Sequence, residues 1–234
     1  MTVKKLIYLI ARKFAKKVLP RQMQASLRNY RTLSFFYGQY RTIEKRESLG
    51  ANGEPWPWYT YPAIDYLEQL DLSNKRVFEF GSGNSTLYWE KRCKSVAAVE
   101  DNGEWYSRIR GKLSGNTLYH YAANPGEYTS KIEESGECYD IIIVDGVYRR
   151  ECAEVAHQWL AVDGFIILDN SDWHASSAQL LRDSGLIQVD FYGFGPINEY
   201  AWVTSIFFRR EVSLRPRFER WPKCGRGGLP QTAE

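Results

Sequence analysis

The stretch RVFEFGSGNSTLYWEKRCKSVAAVED, residues 76–101, decides how the chain is read. A short apolar run, 77–80, breaks at Gly81 and Gly83. A helical pattern follows near 85–92, then a second apolar run at 96–99, then Glu100 and Asp101. Strand, glycine turn, helix, strand and terminal acid form one βαβ unit. Glycine in the first turn permits a tight bend and lets the backbone approach a ligand closely. Asn84 or Ser85 can cap the helix that follows. An acid at the end of the second strand can accept hydrogen bonds from ribose hydroxyls, and Glu100 and Asp101 are so placed.

Outward from this unit, the order repeats. Strand-like runs at 117–121, 141–144 and 165–168 alternate with helical patterns near 104–113, 127–134 and 149–160. DIIIVDG and GFIILDN show no polar alternation, so both faces of these strands are buried. That predicts central parallel strands covered by helices on each side, joined by right-handed crossovers. The end of the chain breaks the rhythm. LIQVDFYGF (186–194) and AWVTSIFFRR (201–210) both read as strands, and only GPINEY separates them. So short a link makes an antiparallel pair. The expected fold is therefore α/β: a doubly wound, mostly parallel sheet of about seven strands, closed by a C-terminal antiparallel hairpin, with helices on both faces.

Composition agrees with such a domain. Of 234 residues, 44% are hydrophobic and 25% charged, ordinary for a globular chain. No apolar stretch approaches the roughly 18 residues that span a bilayer. Cys93, Cys138, Cys152 and Cys224 are scattered without a Cys-x-x-Cys, so reduced thiols in a cytoplasmic setting are expected. The net charge of +3 conceals an asymmetry. Residues 1–43 carry ten Lys and Arg and no acid, and 209–234 carry seven bases and three acids. The middle, 44–208, holds 14 bases against 25 acids. Three segments follow: a basic helical extension with an aromatic loop (1–59), a ligand-binding domain (60–209), and a basic tail (210–234) expected to be flexible.

KKLIYLIARKFAKKVL, within residues 4–19, reads as an amphipathic helix ended by Pro20. Ile7, Ile10, Phe14 and Val18 share one face, and Lys5, Arg12 and Lys16 lie opposite. Arg12 and Lys13 interrupt the apolar run, which argues against a secretory signal. Such a helix fits packing on the domain or across a homodimer, the commoner use of amphipathicity. It also fits peripheral contact with an anionic membrane. The interleaved Arg, Phe and Trp of RPRFERWPKCGRGG bring nucleic acid to mind, but surface charge is more often simple solvation.

The glycine turn and its acid leave two nucleotide ligands open. A nicotinamide dinucleotide wants a third glycine three residues after Gly83, and Thr86 stands there. Glu79 also puts a carboxylate at the turn, a poor neighbour for pyrophosphate and a good one for a cation. VFEFGSGNST, with VAAVE, DIIIVDG, GFIILDN and the final hairpin, resembles the class I S-adenosylmethionine-dependent methyltransferases over about residues 60–209. The resemblance implies S-adenosylmethionine as cofactor. Glu79, Gly81, Ser82 and Gly83 would hold its methionine end, Glu100 its ribose, and Asp101 would neighbour the adenosine. Thr60 and Tyr61 resemble positions that close over the cofactor. Residues 122–124 follow the third strand without the acid that often meets adenine in this family.

Asp145 ends the fourth strand, and Asp169–Asn170 end the fifth. Three oxygen ligands on one rim would suit Mg²⁺. The pattern is similar to metal-dependent catechol-type O-methyltransferases, which would make Asp145, Asp169 and Asn170 metal ligands. Val147, Tyr148, Arg149 and Arg150 stand where those enzymes place a lysine. On the alternative reading, Asp145 borders the cofactor pocket and acts there, while Asp169 and Asn170 shape a turn. Without a metal, His174 in NSDWHASS is the candidate general base. Trp56, Trp58 and Tyr59 either stack on an aromatic or sugar acceptor or form a lid over the core. The expected activity is methyl transfer to a small-molecule or glycan hydroxyl. A nicotinamide oxidoreductase, and a non-enzymatic protein docking on membrane or nucleic acid, are the competing readings.

Overall fold

The computed structural model describes residues 18–219 and 221–229. Seven strands form one sheet: β1 (Arg76–Phe80), β2 (Ser95–Glu100), β3 (Thr117–Tyr121), β4 (Tyr139–Val144), β5 (Leu160–Asp169), β6 (Ile187–Gly193) and β7 (Trp202–Phe208). Their order is β3-β2-β1-β4-β5-β7-β6. β1 to β5 run parallel, and β7 runs antiparallel to both β5 and β6. The predicted hairpin is present, with one addition: β7 inserts between β5 and β6. In register, Asp169 of β5 stands beside Thr204 of β7.

Strand alternation sorts the apolar residues into two layers. Phe78, Phe80, Ile142, Val144, Ile166 and Leu168 face one core. Val77, Ile141, Ile143, Phe165, Ile167 and Ile206 face the other. Helices cover both. On the second layer lie α3 (Tyr61–Leu67) and α4 (Asn84–Glu90), through Ala63, Ile64, Leu67 and Trp89. On the first lie α6 (Pro125–Ser130), α7 (Arg149–Ala156) and α8 (Ala175–Asp183), through Tyr128, Ala153, Ala156, Ala178 and Leu181. α5 (Gly103–Arg110) connects β2 to β3. The helix expected over 149–160 stops at Ala156, because Leu160 already pairs with Tyr139 as β5 begins.

Ahead of the sheet come α1 (Arg21–Arg31), a π-helical turn (Thr32–Phe36) and α2 (Gln39–Lys45). Residues 4–17 of the expected amphipathic helix lie outside the described residues. α2 is tied to the β6–β7 loop: the Gln39 amide donates to the carbonyls of Gly195 and Asn198, and the Ile197 amide donates to Thr42 Oγ1. The basic tail also runs back over the domain. The Asp71 amide donates to the Arg215 carbonyl and the Arg217 amide to the Gln69 carbonyl. Arg226 makes ion pairs with Asp65 and Glu68. Among the described residues, no helix is long and apolar enough to cross a membrane.

Candidate active site

The rim of the sheet where β1, β4 and β5 end opens into a cleft of about 460 Å³, within the size range of small-ligand sites. The turn after β1 forms its floor. Gly81 has φ +95°, a left-handed conformation that L side chains rarely adopt. A Cβ there would also lie 2.9 Å from the backbone of Gly146, so the turns after β1 and β4 touch. The Gly83 amide donates to Thr86 Oγ1, and the Thr86 hydroxyl donates to Glu79 Oε2 at 2.6 Å. Thr86 thus occupies the place of a third glycine and ties the turn to the acid beneath it.

Glu79 is 1% exposed, and its Oε1 has no hydrogen-bond partner. Burial pushes its carboxyl up to about 8, against the pull of the Ser85 and Thr86 hydroxyls. Glu79 lies beneath the turn, and neither it nor Gly81 itself lines the cleft. A buried carboxylate oxygen without a donor is costly, and a cationic donor reaching it would satisfy it. The chemistry therefore fits the ammonium of a bound amino-acid moiety. Tyr59 stands nearby, fully buried, its hydroxyl unpartnered. Burial and the carboxylates of Glu79, Asp145 and Asp169 hold this phenol well above its ordinary range, so it stays a neutral donor.

Glu100 is buried behind the turn. Ser82 Oγ donates to its Oε2 at 2.5 Å, and the Asn102 amide donates to its Oε1 at 3.0 Å. A carboxylate has about four acceptor positions, so capacity for ribose hydroxyls is left. Burial raises its pKa, with Ser82 and Asn102 opposing. Asp101 follows it, half-buried, and neither acid lines the cleft. Trp105 in the first turn of α5 covers this end: its Nε1–H donates to the Ser82 carbonyl at 2.8 Å. Arg108 lies 5.2 Å above the Trp105 ring and pairs with Glu47 at 3.2 Å. The N-terminal extension and α5 thereby meet over the glycine turn.

At the tips of β4 and β5 the three residues expected to hold a metal do not converge on one point. The Arg149 guanidinium occupies the space between the three expected ligands. Its Nη2 donates to Asp145 Oδ1 at 3.0 Å and its Nη1 to Asn170 Oδ1 at 3.2 Å. It also donates to the carbonyls of Asp145, Gly146 and Asp169. The Asp169 carboxylate turns the other way, into the sheet. Trp202 Nε1 and Thr204 Oγ1 donate to its Oδ1 at 3.1 and 2.5 Å. Burial and the neighbouring Asp145 raise the Asp169 pKa. A protein cation four residues from Asp145 stands where Mg²⁺ was expected, and among the described residues no group of acids, His or Cys is arranged to hold a metal.

Asp145 lines the cleft, and 21% of its side chain is open to it. Burial pushes its carboxyl up to about 6, with Arg149 pulling the other way. His174 precedes α8 and does not line the cleft; burial and Arg149 hold its pKa below the ordinary value. Thr60 and Tyr61 also lie away from the cleft. The Thr60 amide donates to Thr204 Oγ1, its hydroxyl donates to the Phe191 carbonyl, and Tyr61 stacks on Tyr37 at 4.4 Å. Both brace the β6–β7 end of the sheet. Trp56 and Tyr59 are buried as a lid over the core, while Trp58, Trp173 and Tyr200 stand exposed around the mouth. Trp105 and the bridging role of Arg149 escape a sequence reading, as does the unpartnered hydroxyl of Tyr59 beside Glu79. The one available signal was the i,i+4 spacing of Asp145 and Arg149.

No protein-family model matches the sequence, and no curated protein matches it. Solved structures do. The chain is similar to precorrin-6y C5,15-methyltransferase from Geobacter metallireducens GS-15, with TM-score 0.51 and 15% identity, over 63% of this chain and 86% of that one. It also matches N-methyltransferase NodS from Bradyrhizobium japonicum WM9 in complex with S-adenosyl-l-homocysteine, with TM-score 0.46 and 17% identity, over 76% of this chain and 100% of that one. At such identities the likeness speaks for the fold and not for the substrate. With its strand order and antiparallel β7, the chain has the fold of the class I S-adenosylmethionine-dependent methyltransferases.

Proposed function

We propose that the chain is an S-adenosylmethionine-dependent methyltransferase acting on a small-molecule or glycan hydroxyl. One observation carries the reading: a fully buried carboxylate oxygen of Glu79 lacks a donor directly under the Gly81–Gly83 turn. In this reading Glu79 receives the ammonium of the methionine end, the turn lets the backbone approach it, and Glu100 accepts the ribose hydroxyls. The bound cofactor supplies a methyl group on a positively charged sulfur, already activated for displacement.

The chain's own residues then have two tasks, alignment and proton removal. Asp145 faces the cleft with a pKa near 6, so near neutrality it is mostly ionised and can take the acceptor's proton. Arg149 fixes one Asp145 oxygen and leaves the other available. Trp58, Trp173 and Tyr200 at the mouth offer ring faces to a sugar or aromatic acceptor. The dinucleotide alternative fits poorly: the buried Thr86 and Glu79 fill the positions where a pyrophosphate needs glycine and positive potential.

Thermal shift with S-adenosylhomocysteine and with NAD tests the cofactor. Stabilisation by the first alone is expected; stabilisation by NAD alone removes the proposal. Labelled donor with cell extract, followed by mass analysis of the product, then identifies the acceptor.

A further inference from the structure

We infer that residues 18–43 form a face that docks on an anionic lipid bilayer. The inference does not depend on the methyltransferase reading. None of the residues of α1 is buried. Met23, Leu27 and Tyr30 nevertheless fall within about 60° of one another on the helix, each at least half exposed. Arg21, Arg28 and Arg31 lie together to one side of this stripe, and the small or uncharged Gln22, Ala25, Ser26 and Asn29 fill the far side. The exposed apolar surface continues through Phe35, Phe36 and Tyr40, and the Arg31 guanidinium lies over the Phe36 ring. Eight of the large apolar residues exposed on the protein lie in this short span, too dense a cluster for ordinary surface.

Charge selects the occupant. Residues 1–43 contain ten bases and no acid. A bilayer with anionic headgroups meets both features at once: bases at the phosphates and carboxylates, apolar side chains in the acyl boundary. Nucleic acid would answer the bases but offers nothing to Met23 and Leu27. A second copy would press two base-only segments together. The face also leads to the cleft: Tyr40 and Ile43 are exposed on α2, and Arg46, Glu47 and Ser48 line the cleft's rim. Docking through 18–43 would bring the cleft's mouth close to the headgroup layer.

The test is co-sedimentation of the full chain with vesicles of phosphatidylcholine alone or with added phosphatidylserine. Pelleting is expected only with the anionic vesicles, and it should fall at least about fivefold at high salt. Phe35→Glu/Phe36→Glu, and independently Leu27→Glu, should reduce it as strongly. Val162→Glu, at a still more exposed apolar site on β5, should not. Equal pelleting with neutral vesicles, or none with anionic ones, overturns the inference. So does tighter binding to an RNA oligonucleotide, or a dimer in sedimentation that Leu27→Glu dissociates.

Discussion

Glu79 concentrates the chemistry of the site in one side chain. Its folded pKa of about 8 lies above the ordinary 4.5, so the folded protein holds this proton more tightly than the unfolded chain. Its contribution to stability is therefore lost progressively as pH rises from about 4.5 to 8. Glu79→Gln removes that dependence, so its melting temperature relative to wild type should rise across the same window. Binding a cationic amine should ionise Glu79 and release a proton at pH 7. Calorimetry with S-adenosylhomocysteine in two buffers of different ionisation enthalpy reads that proton directly. In Glu79→Gln the release should vanish and affinity should drop at least about tenfold. Asp145 belongs to the same scale. If it takes the acceptor's proton, kcat should rise with pH through about 6, and Asp145→Asn should lower kcat roughly a hundredfold with little change in cofactor affinity.

At the scale of elements, the decisive contacts tie neighbouring strand tips together. Arg149, at the start of α7, joins the ends of β4 and β5 through Asp145, Asp169 and Asn170. With a guanidinium already there, methyl transfer should proceed undiminished in EDTA, measured with the acceptor in hand. Abolition by EDTA and rescue by Mg²⁺ would restore the metal reading. The insertion of β7 beside β5 is secured by a buried carboxylate, since Trp202 and Thr204 both donate to Asp169. Trp202→Phe removes one donor together with part of the buried ring's bulk. Urea denaturation should show a loss of about 1–3 kcal/mol.

Across the whole molecule, the two basic ends have different fates. The tail is drawn onto the domain: Arg226 reaches Asp65 and Glu68 and lies over the rings of Tyr37 and Trp56. These carboxylates are about three-quarters shielded from solvent. Arg226→Ala should therefore cost about 1–2 kcal/mol, between an exposed and a buried pair, read from the same urea curves. The described part of the N-terminal extension is anchored from the π-helical turn onward, through Leu33, Tyr37, Gln39 and Thr42, and leaves α1 outside the core.

Residue spacing alone determined the parallel strands, the terminal hairpin and the glycine turn with its two acids. Each is written locally: apolar runs buried on both faces, a six-residue link too short for a helix, glycine where φ must be positive. The tertiary structure decided the rest. That β7 slips between β5 and β6 depends on pairing and packing along its whole length, with Trp202 and Thr204 donating to Asp169 across the sheet. That Arg149 stands in the place of a metal depends on the ends of two strands meeting. That Thr60 and Tyr61 brace the sheet, and that Trp105 closes the cleft, depend on loops distant in sequence packing together. Side-chain direction at a strand tip follows from what the neighbouring element offers, and that neighbour comes from elsewhere in the chain.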